Sequence, residues 1–293
     1  LPGPAPMEAA ALVAGELPDL PHLPELPERG AAADMIGRAL ALCVDMPAEL
    51  APFGWRLTRR AGSDLRRARD FLAWDSDAAE QRFAGAPWLK VQVAGPWTLA
   101  ATVETPSGNR ALTDPGAVRD LADSLTEGLS QWLGELARRL PGTRLVVQLD
   151  EPSLPSVLDG SLRTASGFGR IPAIPAPDAE ALLAPVVTAL DAYVTVAHCC
   201  HPEAPVSLLR GAGFGADAVQ LGAECGQLAQ PLRVGGAAFV GDIVRCAGET
   251  VDIGHGAAQP ARQQQRGDGK VLVVIDGHIW TCGSGPGAWT DPF

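Results

Sequence analysis

The sequence predicts an α/β protein whose main domain is a (β/α)8 barrel of the TIM type, with an incomplete or disordered C-terminal end as the alternative to full closure. Apolar, β-branched runs typical of strands alternate along the chain with segments of helical periodicity. This alternation is typical of parallel βα units. No Gly-x-Gly-x-x-Gly turn follows these runs, so a barrel is preferred to an open nucleotide-binding sheet.

The individual elements follow from periodicity and from stop signals. Gly15–Gly30 repeats Leu-Pro with acidic spacers, and proline at this density excludes a helix interior or a central strand, which predicts an extended surface loop. Helical spacing predicts helices over residues 34–50, 63–83, 114–140, 178–190 and 204–213. Strands are predicted at Leu89–Val93, Leu145–Leu149, Tyr193–Ala197 and Ala218–Leu221.

Composition and charge argue against several classes of protein. The chain has 293 residues, of which 46% are hydrophobic, enough to bury a substantial core. No apolar run reaches the ~18 residues of a membrane helix, and the first residues lack the pattern of a secretory signal, so a cytoplasmic protein is expected. The net charge is −11 and no dense Lys/Arg cluster is present, which argues against a nucleic-acid partner. A small-molecule ligand is expected instead.

Polar side chains recur at the ends of the predicted strands. Three strands carry a glutamine in an otherwise apolar run: Gln92, Gln148 and Gln220. Side chains two residues apart share a face of a strand, so Gln148 lies on the face of Asp150, and His198 on the face of Cys200. The carboxyl ends of barrel strands hold the active site. The alternative is that these groups only hydrogen-bond loop backbone.

The run His198-Cys199-Cys200 offers a histidine and a cysteine on one face of a strand end. Zinc accepts this ligand pair, although two ligands alone do not make a site. Cys199 points the other way and is expected in the core, and His201 is expected in the following loop. Six cysteines without regular spacing do not form a disulfide framework, so reduced thiols are expected.

Four motifs carry a resemblance to a known family. They are QLDEPSLP (Gln148–Pro155), AHCC (Ala197–Cys200), VAGPWTLA (Val93–Ala100) and ADMIGR (Ala33–Arg38). Together they resemble the C-terminal catalytic domain of cobalamin-independent methionine synthase in its actinobacterial single-barrel form, over residues 1–221. The Gly-Pro-Trp-Thr-Leu part of the third motif is also similar to uroporphyrinogen decarboxylase, a related barrel.

The resemblance implies a chemistry. In that family, zinc held by a His, a Cys, a carboxylate and a second Cys binds homocysteine as a thiolate, which takes a methyl group from a methylated folate. His198 and Cys200 would then bind zinc, and Asp150 would be the catalytic residue that holds the amino group of homocysteine. Glu151 and Trp97 would bind substrate. A methylated corrinoid protein is the alternative methyl donor.

The chain departs from the family at two positions. Gly222 stands where the carboxylate ligand is expected, and residues 31–33 are alanines where a glutamate that binds the amino acid is expected. Glu224 and Cys282 are the candidates for the missing ligands. Zinc binding is therefore expected to be weak.

The last quarter of the sequence differs from the rest. Residues 1–221 are predicted to be the barrel portion, and residues 222–293 an atypical tail, either an out-of-frame stretch or a remnant of the last barrel units. Two further hypotheses stay open beside the methyltransferase. One is a degenerate barrel without catalysis, and the other is a decarboxylase-like enzyme that uses Asp150 without metal.

Overall fold

A computed structural model of the chain describes residues 3–201 and 203–214, and beyond them the backbone of six further strands. The helices are α1 Pro6–Glu16, α2 Met35–Leu42, α3 Ser63–Arg82, α4 Pro96–Thr102, α5 Pro115–Arg139, α6 Leu154–Asp159, α7 Ala176–Ala189 and α8 Val206–Gly211. The strands up to residue 219 are β1 Ala48–Ala51, β2 Gly54–Leu57, β3 Trp88–Ala94, β4 Arg144–Asp150, β5 Val194–Cys199 and β6 Ala216–Val219.

The centre of the fold is a parallel sheet in the order β3-β4-β5-β6. Its strands pair in register, so that Ala94 lies opposite Asp150 and Asp150 opposite His198. Helices join β3 to β4, β4 to β5 and β5 to β6 and return the chain to the start of the next strand, as the parallel direction requires. The predicted mixed α/β class is confirmed. Within the part of the chain that the structure describes, this sheet is open and does not close into a barrel.

Helix α5 covers the sheet with a continuous apolar stripe. Its fully buried leucines recur every three or four residues, which places them on one face: Leu121, Leu125, Leu129, Leu133 and Leu136. The helix begins where Asp114 accepts a hydrogen bond of 2.8 Å from the backbone N–H of Gly116. It contacts α4, α7 and β4. The prediction of a helix over residues 114–140 is therefore confirmed to within one residue at each end.

Two sequence-based predictions near the N-terminus are wrong. The predicted helix over residues 34–50 ends at Leu42, and the chain then forms the hairpin of β1 and β2. Pro47 stands between helix and hairpin and cannot continue a helix. The Leu-Pro segment is not a surface loop throughout, because Leu23 and Leu26 are fully buried. The chain there runs beside β3, where Leu23 N–H donates to Lys90 O and Lys90 N–H donates to Pro21 O, both at 2.8 Å.

The remaining strands form a second sheet of their own. These are β7 Leu232–Val234, β8 Ala237–Val240, β9 Val271–Ile275, β10 His278–Cys282 and β11 Trp289–Thr290. They pair in the order β11-β10-β9-β8-β7. The predicted division at residue 221 falls outside the described residues, as do Gly222, Glu224 and the side chain of Cys282. Among the residues described, no helix combines the length and the apolar character that crossing a membrane requires.

Candidate functional site

A cavity of about 360 Å³ lies at the carboxyl ends of β3, β4 and β5. Its polar lining combines two acids, two histidines, a lysine, two amides and a thiol: His22, Glu25, Lys90, Gln92, Gln148, Asp150, His198 and Cys200. The structure thus brings Asp150, His198 and Cys200 together at one edge of the sheet. Their chemical roles stay predictions.

Strand alternation explains why these side chains meet. Gln148 and Asp150 are two residues apart on β4, and His198 and Cys200 are two apart at the end of β5, so each pair shares a face. The register places Asp150 directly opposite His198. Cys199 lies on the other face and is fully buried, which confirms its expected place in the core. Burial raises the pKa of its thiol to about 11.

A chain of hydrogen bonds crosses the cavity wall. Lys90 Nζ donates to Gln148 Oε1 at 3.1 Å, and Gln148 Nε2 donates to Asp150 Oδ1 at 2.7 Å. Asp150 Oδ1 also lies 2.7 Å from His198 Nδ1. Because an ionised carboxylate only accepts hydrogen bonds, Nδ1 carries the hydrogen in this pair. The Nε2 atom of His198 is then the nitrogen with a lone pair for a metal ion.

The Leu-Pro segment contributes a second acid to the cavity that the sequence analysis missed. His22 and Glu25 both line it. They are three residues apart, as are the buried Leu23 and Leu26. One face of the segment therefore packs into the core while another faces the cavity. This three-residue spacing groups Glu25 with His22 in the sequence, but it does not indicate which face of the segment meets the cavity.

Burial and neighbouring charges shift the pKa values of the ionisable groups in the cavity. Burial raises the pKa of Glu25, against the nearby charges of Arg38 and Lys90. Burial lowers the pKa of Lys90, an effect that Asp150 and Glu25 oppose. For His22, burial and then the charge of Lys90 lower the pKa to about 4. His22 is therefore neutral near pH 7, and the cavity combines two carboxyl groups with one lysine.

The structure does not bring Glu151 or Trp97 to the cavity lining. Glu151 follows Asp150 on the strand, so it points to the opposite side and is fully buried. Its Oε1 accepts from the backbone N–H of Trp97 at 3.0 Å, and its Oε2 accepts from the N–H and the hydroxyl of Thr98, both at 2.7 Å. The indole N–H of Trp97 donates to Ala179 O on α7. Both residues anchor the first turn of α4 behind the site.

Gly95 makes this anchor possible. A Cβ atom at position 95 would lie 2.3 Å from Glu151 Oε1, a distance that no side chain tolerates. The glycine therefore lets the β3–α4 turn approach the carboxyl group closely. Burial raises the pKa of Glu151 to about 7, although its hydrogen bonds to Thr98 and Trp97 lower the pKa.

The residues described fit a zinc ion only in part. Cys200 is exposed and lines the same cavity as His198, and both are ligands that zinc prefers. In the part of the chain that the structure describes, no group of three His, Cys, Asp or Glu side chains could hold a metal ion. His201 follows the end of β5 and is half-buried. Its Nδ1 accepts a hydrogen bond from the backbone N–H of Glu203.

Comparison with protein families, curated proteins and solved structures finds no match to this chain. The site is therefore interpreted from its own geometry and from the motifs in the sequence.

Proposed function

We propose that the chain is a zinc-dependent methyltransferase that moves a methyl group from a methylated folate to the thiol of homocysteine. One observation carries the proposal: Asp150 from one motif and His198 and Cys200 from another line a single cavity at the carboxyl ends of β4 and β5. This is the edge at which parallel strands of barrel enzymes place their active sites. We propose further that the parallel sheet is part of a (β/α)8 barrel.

The acids of the cavity suit the amino group of an amino acid. Glu25 and Asp150 both line it, and a primary ammonium group has three N–H donors for such acceptors. Among the described residues, the hydrogen bonds of the Asp150 side chain fall on Oδ1, so Oδ2 can face a ligand. Glu25 takes the part that the sequence analysis expected from a glutamate at residues 31–33. A cavity of about 360 Å³ holds a small amino acid.

The thiol end of the substrate would lie toward His198 and Cys200. These two residues would hold the zinc ion, His198 through Nε2 and Cys200 through its thiolate. Bound zinc would lower the pKa of the homocysteine thiol, so that a thiolate is present near neutral pH. Asp150 contributes by orienting the His198 ring through the 2.7 Å contact. Glu224 and Cys282 stay the candidates for further ligands.

In the proposed methyl transfer, one bond forms and one bond breaks. The thiolate sulfur forms a bond to the methyl carbon while the bond from that carbon to N5 of the folate breaks. The electron pair of the broken bond stays on N5, which takes up a proton. The chain's own residues bind the amino acid, orient it and keep the sulfur within reach of the methyl group.

The test is methionine formation from homocysteine and methyltetrahydrofolate by the purified chain supplied with zinc. Cys200→Ala should abolish turnover and lower the zinc retained after dialysis, because it removes one of the two proposed ligands. Cys199→Ala is the matched control, since that thiol is buried on the opposite face. Equal zinc content and equal turnover in Cys200→Ala and the unmodified chain would refute the proposal.

A second candidate function has one observation in its favour. Because no group of three His, Cys, Asp or Glu side chains among the described residues could hold a metal ion, a barrel that binds an amino acid without catalysis is the alternative. It predicts binding of L-methionine with no retained zinc and no turnover. Zinc retained after dialysis and methionine formation therefore distinguish the two candidate functions.

A further inference from the structure

Two arginines and one aspartate form a buried cluster behind the cavity. Arg29 holds Asp75 with two hydrogen bonds, each of 2.8 Å. Arg38 Nη1 donates to the same carboxylate at 2.7 Å. All three side chains are at most 4% exposed. The cluster thus contains two positive charges and one negative charge in a region with little water.

The net positive charge of this cluster needs a partner, because an unpaired buried charge is costly. Glu25 is in position to supply it: its Oε1 lies 3.6 Å from Arg38 Nε. This distance is too long for a hydrogen bond but within the range of a salt bridge, and the Glu25 side chain is 35% exposed. Glu25 also lines the cavity. Arg38 therefore connects the buried cluster to the site.

Asp75 does not need Arg38 as a partner. The bidentate contact with Arg29 already satisfies both carboxylate oxygens and balances the charge of Asp75. Arg38 Nη1 also donates to Asp75, and the second positive charge of the cluster is balanced by Glu25. Burial raises the pKa of Glu25, and among the charges that lower it Arg38 has the largest effect.

We propose that Arg38 is a positioning residue that keeps the Glu25 carboxylate ionised and in place at the cavity, and so makes the site selective for a ligand with an ammonium group. The inference rests on the proposed function, in that it takes the ligand to be an amino acid. It adds a residue to the site that touches no ligand itself and acts through Glu25.

The test uses L-methionine as the probe, because the product of the proposed reaction binds without a methyl donor. Calorimetry would compare the unmodified chain with Arg38→Met, Glu25→Gln and the double variant. Arg38→Met should weaken binding by about tenfold, the loss expected when a charge-assisted contact is impaired. In the Glu25→Gln background the same substitution should change the affinity by less than about twofold, because the two residues act as one unit.

Arg29→Met is the matched control. Its side chain is as buried as that of Arg38, and its hydrogen bonds go to the same Asp75. It should lower the melting temperature and leave the affinity for L-methionine within about twofold. Arg38→Lys, which keeps the positive charge, should recover most of the affinity and provides a second test if Arg38→Met folds poorly.

The outcomes are distinct. Equal losses of affinity in Arg29→Met and Arg38→Met, or an undiminished effect of Arg38→Met in the Glu25→Gln background, would overturn the inference and leave the proposed function intact. Failure of the folded, unmodified chain to bind L-methionine would overturn the proposed function, and the inference with it.

Discussion

Oδ1 of Asp150 lies 2.7 Å from Nδ1 of His198, and the two residues face each other on adjacent parallel strands. A carboxylate in this position fixes the orientation of the ring and makes its other nitrogen a better metal ligand. The same carboxyl group lines the cavity in which we propose that the amino group of the substrate binds. One residue therefore links the two halves of the proposed site.

Asp150→Asn tests this link. The substitution keeps the shape of the side chain but removes its charge, so the zinc affinity should fall by about tenfold to a hundredfold. Competition with a chelator of known affinity measures this, and calorimetry with L-methionine should show weaker binding as well. Asp159→Asn, an exposed aspartate at the end of α6, is the control and should change neither quantity. Unchanged zinc affinity in Asp150→Asn would show that the pair does not support a metal ligand.

Glu151 should make the stability of the protein depend on pH. Its pKa is raised from 4.5 to about 7, with burial as the largest cause. The folded state then holds a proton that the unfolded state has released between pH 4.5 and about 7. The stabilisation is complete below pH 4.5 and is lost as the pH rises through about 7. The difference is on the order of 3 kcal/mol.

The measurement is the free energy of unfolding of the unmodified chain and of Glu151→Gln across this range. Glutamine cannot ionise, so the variant should lack this part of the pH dependence. It should also be less stable below pH 4.5, since its amide NH2 meets the N–H donors of Trp97 or Thr98. Glu127→Gln, on the exposed side of α5, should keep the pH dependence of the unmodified chain. Parallel curves for the unmodified chain and Glu151→Gln would contradict the prediction.

His22 should stay neutral in mildly acidic solution. Burial and the charge of Lys90 lower its pKa from 6.5 to about 4. The stability that the neutral ring contributes is present above pH 6.5 and is lost as the pH falls through about 4. In an NMR titration, the ring signals of His22, assigned by comparison with His22→Gln, should keep the chemical shift of a neutral imidazole at about pH 5.5. A midpoint near 6.5 for these signals would contradict the environment described for the cavity.

The sequence could predict the part of the site that lies on regular strands. Alternation along β4 and β5 is enough to place Asp150, His198 and Cys200 on one face, and the parallel direction brings their ends together. The same alternation places Glu151 on the other face, yet the resemblance assigned it to substrate. The motif indicates that Glu151 lies near the site. It does not indicate whether the side chain contacts a ligand or stabilises α4.

Glu25 and Arg38 could not be predicted in the same way. The Leu-Pro segment lacks the alternation of apolar and polar residues that is typical of a strand. Its buried position depends on two backbone hydrogen bonds to Lys90, which is 67 residues or more away in the sequence. The contact of Arg38 with Glu25 depends in turn on how α2 packs against α3, which carries Asp75. Such relationships come from tertiary packing, which local patterns do not contain.

The cluster of Arg29, Arg38 and Asp75 should contribute strongly to stability. Asp75→Asn would leave two buried guanidinium groups without their shared carboxylate, and breaking a buried ion pair in this way costs about 3 to 5 kcal/mol. The chain also contains an exposed counterpart, in which Arg139 contacts Asp77 at 2.6 Å. Asp77→Asn should cost less than about 1 kcal/mol, because water screens a pair on the surface.

Chemical denaturation of the two variants measures this difference, since both remove one carboxylate charge from the same helix, α3. The expected order is a large loss in Asp75→Asn and a loss near zero in Asp77→Asn. The large loss should shrink in the double variant Asp75→Asn with Arg38→Met, because one of the two guanidinium groups that lost the Asp75 carboxylate is then absent. If Asp75→Asn were no more destabilising than Asp77→Asn, the cluster would not be buried as described, and Arg38 would have no fixed position from which to act on Glu25.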